Sequence, residues 1–179
     1  MIFTETPLKG AYVLELQKRE DSRGWFGRAY CARELEAHGL TSKVVNTNVG
    51  FSKLKGTLRG MHLQIAPHAE AKLVRCTMGA IYDVIIDLRP DSPTHRQWFG
   101  IELSAENRKQ LFVPEGFAHG YQTLVDDTEI TYQTSEFYAP ACAKGVRYND
   151  QAFNITWPLP VSSISEADEK WPDYTGRMG

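Results

Sequence analysis

Short apolar runs separated by turn residues dominate the chain, and their alternation is that of β-strands. The clearest run is AIYDVIIDLR, in which one strand face carries Tyr82, Val84, Ile86 and Leu88 and the other carries Ile81, Asp83, Ile85 and Asp87. Both faces are largely apolar, so the pattern predicts a strand buried on both sides. Asp83 then needs a partner, because an unpaired buried carboxylate is costly. That partner is either the backbone or a histidine or lysine in a cavity.

Similar runs recur along the chain, whereas helical periodicity is scarce. AKLVRCT leads through a turn at Met78-Gly79 into AIYDVIIDLR, and QWFGIELS, KQLFVP, GYQTLV and EITYQTSEFY follow. One helix is predicted at Cys31–Leu40, ending at Gly39, and a second short turn where Ser165 can cap it. Many short strands with few helices predict an all-β sandwich or closed barrel with a few short peripheral helices. The length suits one domain over residues 1–179.

Composition and charge narrow the class of protein. Apolar residues make up 42% and charged residues 23% of the chain, and the formal net charge is −2, which gives nucleic acid no basic surface to bind. No apolar run is long enough to span a membrane, and MIFTETPLKG lacks the pattern of a secretory signal. The three cysteines form no C-x-x-C pair, so neither a disulfide framework nor a zinc knuckle is expected. These features predict a cytoplasmic protein.

The stretch GTLRGMHLQ, residues 56–64, is a strand-like run that carries two ionisable groups and an internal glycine. On a regular strand Arg59 and His62 face opposite sides, because they are three residues apart. A glycine inside a strand often marks a β-bulge, which re-aims the side chains that follow it. We therefore hypothesise that Gly60 brings Arg59 and His62 to one side.

A second histidine, His119 in FVPEGFAHGYQ, also lies in an apolar strand context. Either histidine alone is more typical of a core residue than of a catalyst. Together with Arg59, Lys72 and Tyr132, however, they make too many polar groups for an inert core. The remaining histidines lie in polar contexts and are predicted to be at the surface: His38, His68 and His95.

At this point the sequence resembles the nucleotide-sugar 3,5-epimerases, typified by the dTDP-4-dehydrorhamnose 3,5-epimerase family. The resemblance rests on an ordered series of motifs: DSRGWF, NTNVGFSKLKGTLRGMHLQ, AKLVR, YDVIIDLRPDSPT, LSAEN, FVPEGFAHGY, TYQTSEFYAP, RYNDQAFNITWP and ISEAD. It implies a cupin-type jelly roll, a homodimer, and a nucleotide-sugar substrate bound inside the barrel.

The resemblance also implies a chemistry for the polar groups. Family substrates carry a ketone at C4 of a 6-deoxyhexose, and the ketone acidifies the hydrogens on both neighbouring carbons. A base removes one hydrogen and an acid returns a proton to the opposite face, without a redox cofactor or a metal. By resemblance His62 is the base, Asp168 its partner, and Tyr132 the acid, while Lys72 supports the enolate oxygen.

The remaining matches are residues expected to bind the substrate. Arg23 and Arg59 are expected to hold the diphosphate, because a guanidinium presents a planar fork of donors to phosphate oxygens. Phe26 and Tyr138 are expected to stack near the sugar, or alternatively to pack in the core or an interface. Polar contacts are expected from Asn46, Asn48, Asp83 and His119. The chain departs from the usual family pattern at Arg28, Asn46, Glu70 and Gln133.

Three alternatives stay open at this point. The departures lie around substrate contacts, so epimerisation at only one carbon, or a different nucleotide, is one alternative. A metal-dependent cupin that uses His62, Gln64, Glu70 and His119 is another, although glutamine is a poor ligand and Lys72 would repel a cation. The third is a sugar-binding cupin without catalysis.

Overall fold

The computed structural model describes residues 1–176 and 178, and its regular structure is mostly β-strand. Fourteen strands and two short helices occur in this part of the chain: β1 (Ile2–Glu5), β2 (Tyr12–Glu15), β3 (Arg19–Asp21), β4 (Gly24–Phe26), α1 (Ala32–Ala37), β5 (Asn46–Ser52), β6 (Thr57–Gln64), β7 (Lys72–Met78), β8 (Ala80–Asp87), β9 (Trp98–Ser104), β10 (Gln110–Val113), β11 (Phe117–Thr123), β12 (Thr128–Thr134), β13 (Ala143–Gly145), β14 (Ser163–Ile164) and α2 (Glu166–Glu169).

Two large sheets form the body of the fold. One sheet has the order β1-β2-β10-β7-β12-β5 and the other β13-β6-β11-β8-β9, while β14 adds in parallel to β6 and β3 and β4 form a separate hairpin. Within the large sheets every neighbouring pair along these orders is antiparallel. Consecutive strands often lie in different sheets: β5 and β7 belong to the first sheet, and β6 and β8 to the second. This alternation is expected for a jelly roll.

Alternation along β8 explains where the two main cores lie. Ile81 and Ile85 belong to the core between the two sheets, together with Val74, Leu111 and Ile130. The other face of β8 packs into a second core, which includes Val84, Ile86, Leu88 and Phe153. The predicted strand with two buried faces is confirmed, and Asp83 of its inner face pairs with His119, which lines the cavity described below.

Most local predictions hold, with two corrections. The first helix is shorter than predicted, at Ala32–Ala37, and Ser165 caps the second by accepting a hydrogen bond from the backbone N–H of Asp168 at 3.1 Å. The turn at residues 78–79 joins two strands as predicted, and it leads from β7 in one sheet to β8 in the other. His95 is half-buried against Tyr174 rather than exposed, whereas His38 and His68 are exposed as predicted.

All three cysteines are free thiols. Burial raises the pKa of the Cys76 thiol to about 11, so this group stays protonated near neutral pH. Among residues 1–176 and 178, no helix has the length and apolar character that crossing a membrane requires.

Candidate active site

A β-bulge in β6 shapes the floor of the site. His119 of β11 pairs with His62 and Tyr121 pairs with Arg59, so two residues of β6 oppose the single residue Gly120. Gly60 has a φ of +134°, and a Cβ at this position would lie 2.5 Å from the Cα of Gly120. The bulge therefore depends on glycine at this close approach, and it turns Arg59 and His62 toward the same cavity. The hypothesis drawn from GTLRGMHLQ is confirmed.

Two adjoining cavities, of about 510 Å³ and 260 Å³, open between the sheets and together form the central cavity. Both are lined by His62 from one sheet and by Lys72 and Tyr132 from the other. Of the other residues predicted for the site, the larger cavity holds Asn46, Asn48, Tyr138 and Asp168, and the smaller holds Arg59 and His119. Sequence reasoning thus identified most of one continuous site.

His62 and Asp168 form a pair across 106 residues of sequence. The Nε2 atom of His62 lies 2.5 Å from Oδ1 of Asp168, and the backbone N–H of Gly60 donates to the other carboxylate oxygen at 3.3 Å. Burial acts to raise the pKa of Asp168, but the hydrogen bonds from His62 and Gly60 outweigh it, so the pKa lies below its usual value. An ionised Asp168 accepts a hydrogen bond from the Nε2–H of His62, which leaves Nδ1 as the basic nitrogen.

A second histidine–aspartate pair lies beside the first. The Nε2 atom of His119 is 2.7 Å from Oδ1 of Asp83, and both side chains are almost fully buried. The other carboxylate oxygen of Asp83 is buried without a hydrogen-bond partner among the described residues. The partner that the sequence left open for Asp83 is therefore a histidine at the cavity wall.

Tyr132 and Lys72 face the cavity from the opposite sheet. Burial raises the pKa of the Tyr132 phenol, the charge of Glu70 raises it further, and Arg59 opposes the shift. The phenol is therefore protonated near neutral pH and able to donate a proton. The Nζ atom of Lys72 is buried and lies 2.5 Å from Oε1 of Glu70, which fixes the position of the ammonium group.

Arg59 lines the smaller cavity and is held by two hydrogen bonds. Its Nε donates to the Ser52 hydroxyl at 3.2 Å and its Nη2 to the carbonyl of Phe51 at 3.0 Å. The side chain pairs with no carboxylate among residues 1–176 and 178. Its charge is thus available to an anionic group of a ligand.

Three residues predicted for the site do not line it within one chain. Asp83 is fully buried and reaches the cavity only through its partner His119. Arg23 and Phe26 lie on the β3–β4 hairpin, line neither part of the central cavity, and are largely exposed. Arg23 forms an exposed ion pair with Asp21. Tyr138 lines the larger cavity but is itself 71% exposed.

The departures from the family pattern fall into two groups. Asn46 and Glu70 line the central cavity, and Glu70 holds Lys72. Arg28 instead pairs with Glu34 of α1, and the side chain of Gln133 has a buried oxygen without a partner among the described residues. Only the first group lines the central cavity of its own chain.

Sequence reasoning missed one side chain that lies against His62, the predicted base. Trp171 lines the larger cavity, and its ring centroid lies 6.2 Å from that of His62 in an edge-to-face arrangement. Trp171 lies beyond the end of α2 at Glu169, so helical spacing did not point to it, and its closeness in sequence to Asp168 was the available signal.

The residues of the metal alternative have other partners. The Gln64 amide binds the carbonyls of His68 and Phe137 and the N–H of Ala139. Glu70 pairs with Lys72, and each histidine pairs with an aspartate. Among residues 1–176 and 178, no cluster of three or more histidine, cysteine or acidic side chains is arranged to hold a metal ion.

Comparison with known proteins places this site in a family. The family model for dTDP-4-dehydrorhamnose 3,5-epimerase matches residues 5–175. The dTDP-4-dehydrorhamnose 3,5-epimerase of Salmonella typhimurium is 40% identical over 171 residues, which cover 93% of each chain.

Solved structures agree with that match. The crystal structure of dTDP-4-dehydrorhamnose 3,5-epimerase from Elizabethkingia anophelis superposes with a TM-score of 0.96 at 38% identity, covering 100% of this chain and 99% of the other. The enzyme of the same name from Bacillus anthracis, solved with TDP and PPi bound, superposes with a TM-score of 0.92 at 43% identity and covers 97% and 99%. The fold is thus the expected cupin-type jelly roll. The chain belongs to the dTDP-4-dehydrorhamnose 3,5-epimerase family, whose members are isomerases that act on carbohydrates.

Proposed function

We propose that this chain converts dTDP-4-dehydro-6-deoxy-D-glucose to dTDP-4-dehydro-L-rhamnose by inverting C3 and C5. One observation carries the proposal. His62 on β6 and Tyr132 on β12 belong to opposite sheets and line the same central cavity. A sugar ring between them presents one face to a base and the other to an acid, which is what inversion requires.

The first step is removal of a hydrogen from the carbon next to the C4 ketone. Nδ1 of His62 takes the proton, and the electron pair of the C–H bond moves into the ring to form an enolate. Asp168 accepts a hydrogen bond from Nε2, which orients the imidazole and stabilises the imidazolium. The substrate keeps its redox state throughout.

The enolate oxygen needs a positive group nearby. Lys72 supplies it from a buried position, where an ammonium group acts more strongly than in water. Glu70 fixes the position of this ammonium group and partly neutralises its charge. The substitution of Glu70 for the usual family residue therefore alters the strength of enolate support rather than removing it.

Tyr132 completes the inversion by donating its phenolic proton to the opposite face of the carbon. His62 then releases its proton to solvent and Tyr132 regains one, which restores the site. Because the proton that enters the sugar is not the one that left, each inverted carbon incorporates hydrogen from solvent.

Solvent deuterium uptake tests the reaction. The enzyme is incubated with dTDP-4-dehydro-6-deoxy-D-glucose in D₂O and the sugar is followed by proton NMR. We expect label at both C3 and C5 together with the rhamnose configuration. Label at C3 alone or C5 alone identifies a mono-epimerase, and no label with this or the corresponding cytidine or guanosine diphosphosugars leaves only a binding role.

We further propose that the enzyme is a homodimer in which Arg23 and Phe26 of the partner subunit reach the central cavity. Both residues are exposed on a hairpin away from their own cavity. On the edge strand β5, Val49 and Phe51 are exposed at 65% and 48%, as expected for a surface that another copy covers. Arg59 would then hold the diphosphate together with the partner's Arg23.

Mixed dimers test this arrangement directly. Arg23→Ala and His62→Ala chains are purified separately, each with low activity, and are then unfolded and refolded together. If Arg23 acts across the interface, each mixed dimer contains one site with both native residues, and activity returns. No recovery in a sample that sedimentation shows to be dimeric places Arg23 in its own subunit's site or outside both.

The free cysteines support a reducing compartment, so we propose a cytoplasmic location. Fractionation of the source cells, with the protein detected by antibody, checks this proposal.

A further inference from the structure

The C-terminal segment contacts His62 at two points. Asp168 binds the ring nitrogen Nε2 at 2.5 Å. Three residues later Trp171 packs against the same imidazole, with ring centroids 6.2 Å apart and planes inclined by 66°. Asp168 restrains one atom of the ring, and Trp171 restrains the ring as a body.

A glycine creates the place that Trp171 occupies. Gly145 of β13 lies directly opposite His62 of β6, and opposite residues of antiparallel strands point to the same face of the sheet. A Cβ at residue 145 would lie 2.4 Å from Cε2 of the indole. The missing side chain leaves a notch beside His62, and the indole fills it.

The segment that carries Asp168 and Trp171 is anchored on both sides. Before them, β14 pairs with β6. After them, Asp173 forms an ion pair with Arg147, and the backbone N–H of Tyr174 donates to Asp150 at 2.5 Å. Both contacts to His62 therefore come from a segment held in place rather than from a free end.

The indole nitrogen gives no reason for this placement. The Nε1 atom of Trp171 is buried and has no hydrogen-bond partner among the described residues. A buried donor without a partner destabilises a fold, so the benefit of the indole must lie in what its ring contacts. The ring contacts His62, whose side chain is 46% exposed and is held otherwise by its hydrogen bond to Asp168.

We propose that Trp171 is a positioning residue for the base: by packing against the imidazole it holds Nδ1 of His62 toward the sugar carbon. The inference rests on the proposed function of His62. Proton transfer from carbon requires close alignment, and a misplacement of about 1 Å can cost on the order of 100-fold in rate. One hydrogen bond to Asp168 leaves rotation about that bond, which the indole blocks.

Three substitutions at Trp171 and one control test the proposal. Trp171→Leu and Trp171→Met remove the ring, and methionine fills more of the notch in case leucine does not fold. Trp171→Phe keeps a planar ring. Trp157→Phe is the matched control, because Trp157 packs in the second core outside the central cavity. Thermal melting followed by circular dichroism selects the variants that fold.

Kinetics provide the first readout. We expect the leucine and methionine variants to lose about 10- to 100-fold in kcat, while KM and the affinity for thymidine diphosphate stay nearly unchanged. Trp171→Phe should recover most of the loss, and Trp157→Phe should match the native enzyme. An unchanged kcat in the folded variants overturns the proposal. An increase in KM that parallels the loss in kcat also overturns it, since Trp171 would then act by binding substrate.

Histidine-ring NMR provides a readout that does not need turnover. In protein with ¹⁵N-labelled histidine, the His62 signals are identified by their absence in His62→Ala. The native ring should be a single species protonated at Nε2, and loss of the indole should broaden the signals or mix the tautomers. Unchanged signals overturn the positioning role even if the enzyme is active. Absence of turnover in the native enzyme would refute the proposed function instead. The NMR comparison would still show whether Trp171 orients the His62 ring.

Discussion

Two histidine–aspartate pairs of the same chemistry and unequal exposure flank the central cavity. In the first pair the side chain of His62 is 46% exposed, and in the second that of His119 is 9% exposed. The two imidazoles lie opposite one another on neighbouring strands β6 and β11. Residue type and position in the sheet are therefore the same for the proposed base, His62, and for His119. The two differ in how far each side chain is exposed to the cavity.

The two pairs also differ in how the fold builds them. Asp83 and His119 come from neighbouring strands, so the register of the sheet fixes their contact. Asp168 comes from a short helix near the C-terminus, and its contact with His62 depends on how that segment docks. We infer that the second pair stabilises the cavity wall and that the first performs the chemistry. Each prediction below separates these roles.

Replacing His62 by alanine should have the largest effect on catalysis. Loss of the base is expected to lower turnover by about 10⁴-fold, at the upper end of general acid–base contributions. Deuterium exchange at C3 and C5 should fall with it. His119→Ala, measured in parallel, should retain far more exchange, and equal losses in the two variants would remove the distinction.

Replacing His119 by alanine should have the larger effect on stability. The carboxylate of Asp83 would stay fully buried without its partner, which is expected to cost about 3 kcal/mol of unfolding free energy. Urea unfolding measures this cost. His62→Ala should cost less than about 1 kcal/mol, because Asp168 keeps the hydrogen bond from the Gly60 N–H and lines the cavity, where water can replace the lost partner. The reverse order of stabilities would contradict the assignment.

Tyr132→Phe tests whether the first pair works with an acid on the opposite sheet. We expect inversion to fall by about 100-fold while proton removal is less affected, since His62 remains. NMR in D₂O should show exchange that outpaces formation of the inverted sugar. Thr131→Val, a neighbour that does not line the central cavity, serves as the control. Equal loss of exchange and inversion would place Tyr132 in proton removal instead.

The smallest expected effect is a pH dependence of stability. The pKa of Asp168 is lowered in the folded state, so its contribution is present above the unfolded value of about 3.9 and is lost as the pH falls through the folded value. Asp168→Asn should make the urea midpoint less sensitive to pH in this acidic range. If the urea midpoint changes with pH equally in the native enzyme and in Asp168→Asn, the carboxylate is not stabilised by its partners.

Local sequence pattern predicted what local physics determines. The alternation along AIYDVIIDLR predicted both buried faces of β8, and the glycine in GTLRGMHLQ predicted the bulge beside His62. The identities of the predicted site residues came from resemblance, and most of those residues line one cavity.

Contacts set by distant segments were beyond the sequence pattern. It left the partner of Asp83 open, because sheet register joins residues 36 apart in the chain. It did not identify Trp171, whose place depends on a notch at Gly145. It did not show that Arg23 and Phe26 lie away from the cavity of their own chain. The resemblance predicted that they contact substrate, but not in which subunit.

The meeting of Gly60 and Gly120 has a consequence for how this enzyme tolerates mutation. A Cβ at residue 60 would lie 2.5 Å from the Cα of Gly120, and one at residue 120 would lie 2.6 Å from the sulfur of Met61 and 2.7 Å from the carbonyl oxygen of Arg59. Even a single methyl group would push β6 and β11 apart and carry both imidazoles with them. In a saturation library selected for epimerase activity, these two glycines should be nearly as invariant as His62, although neither offers a side chain to the sugar.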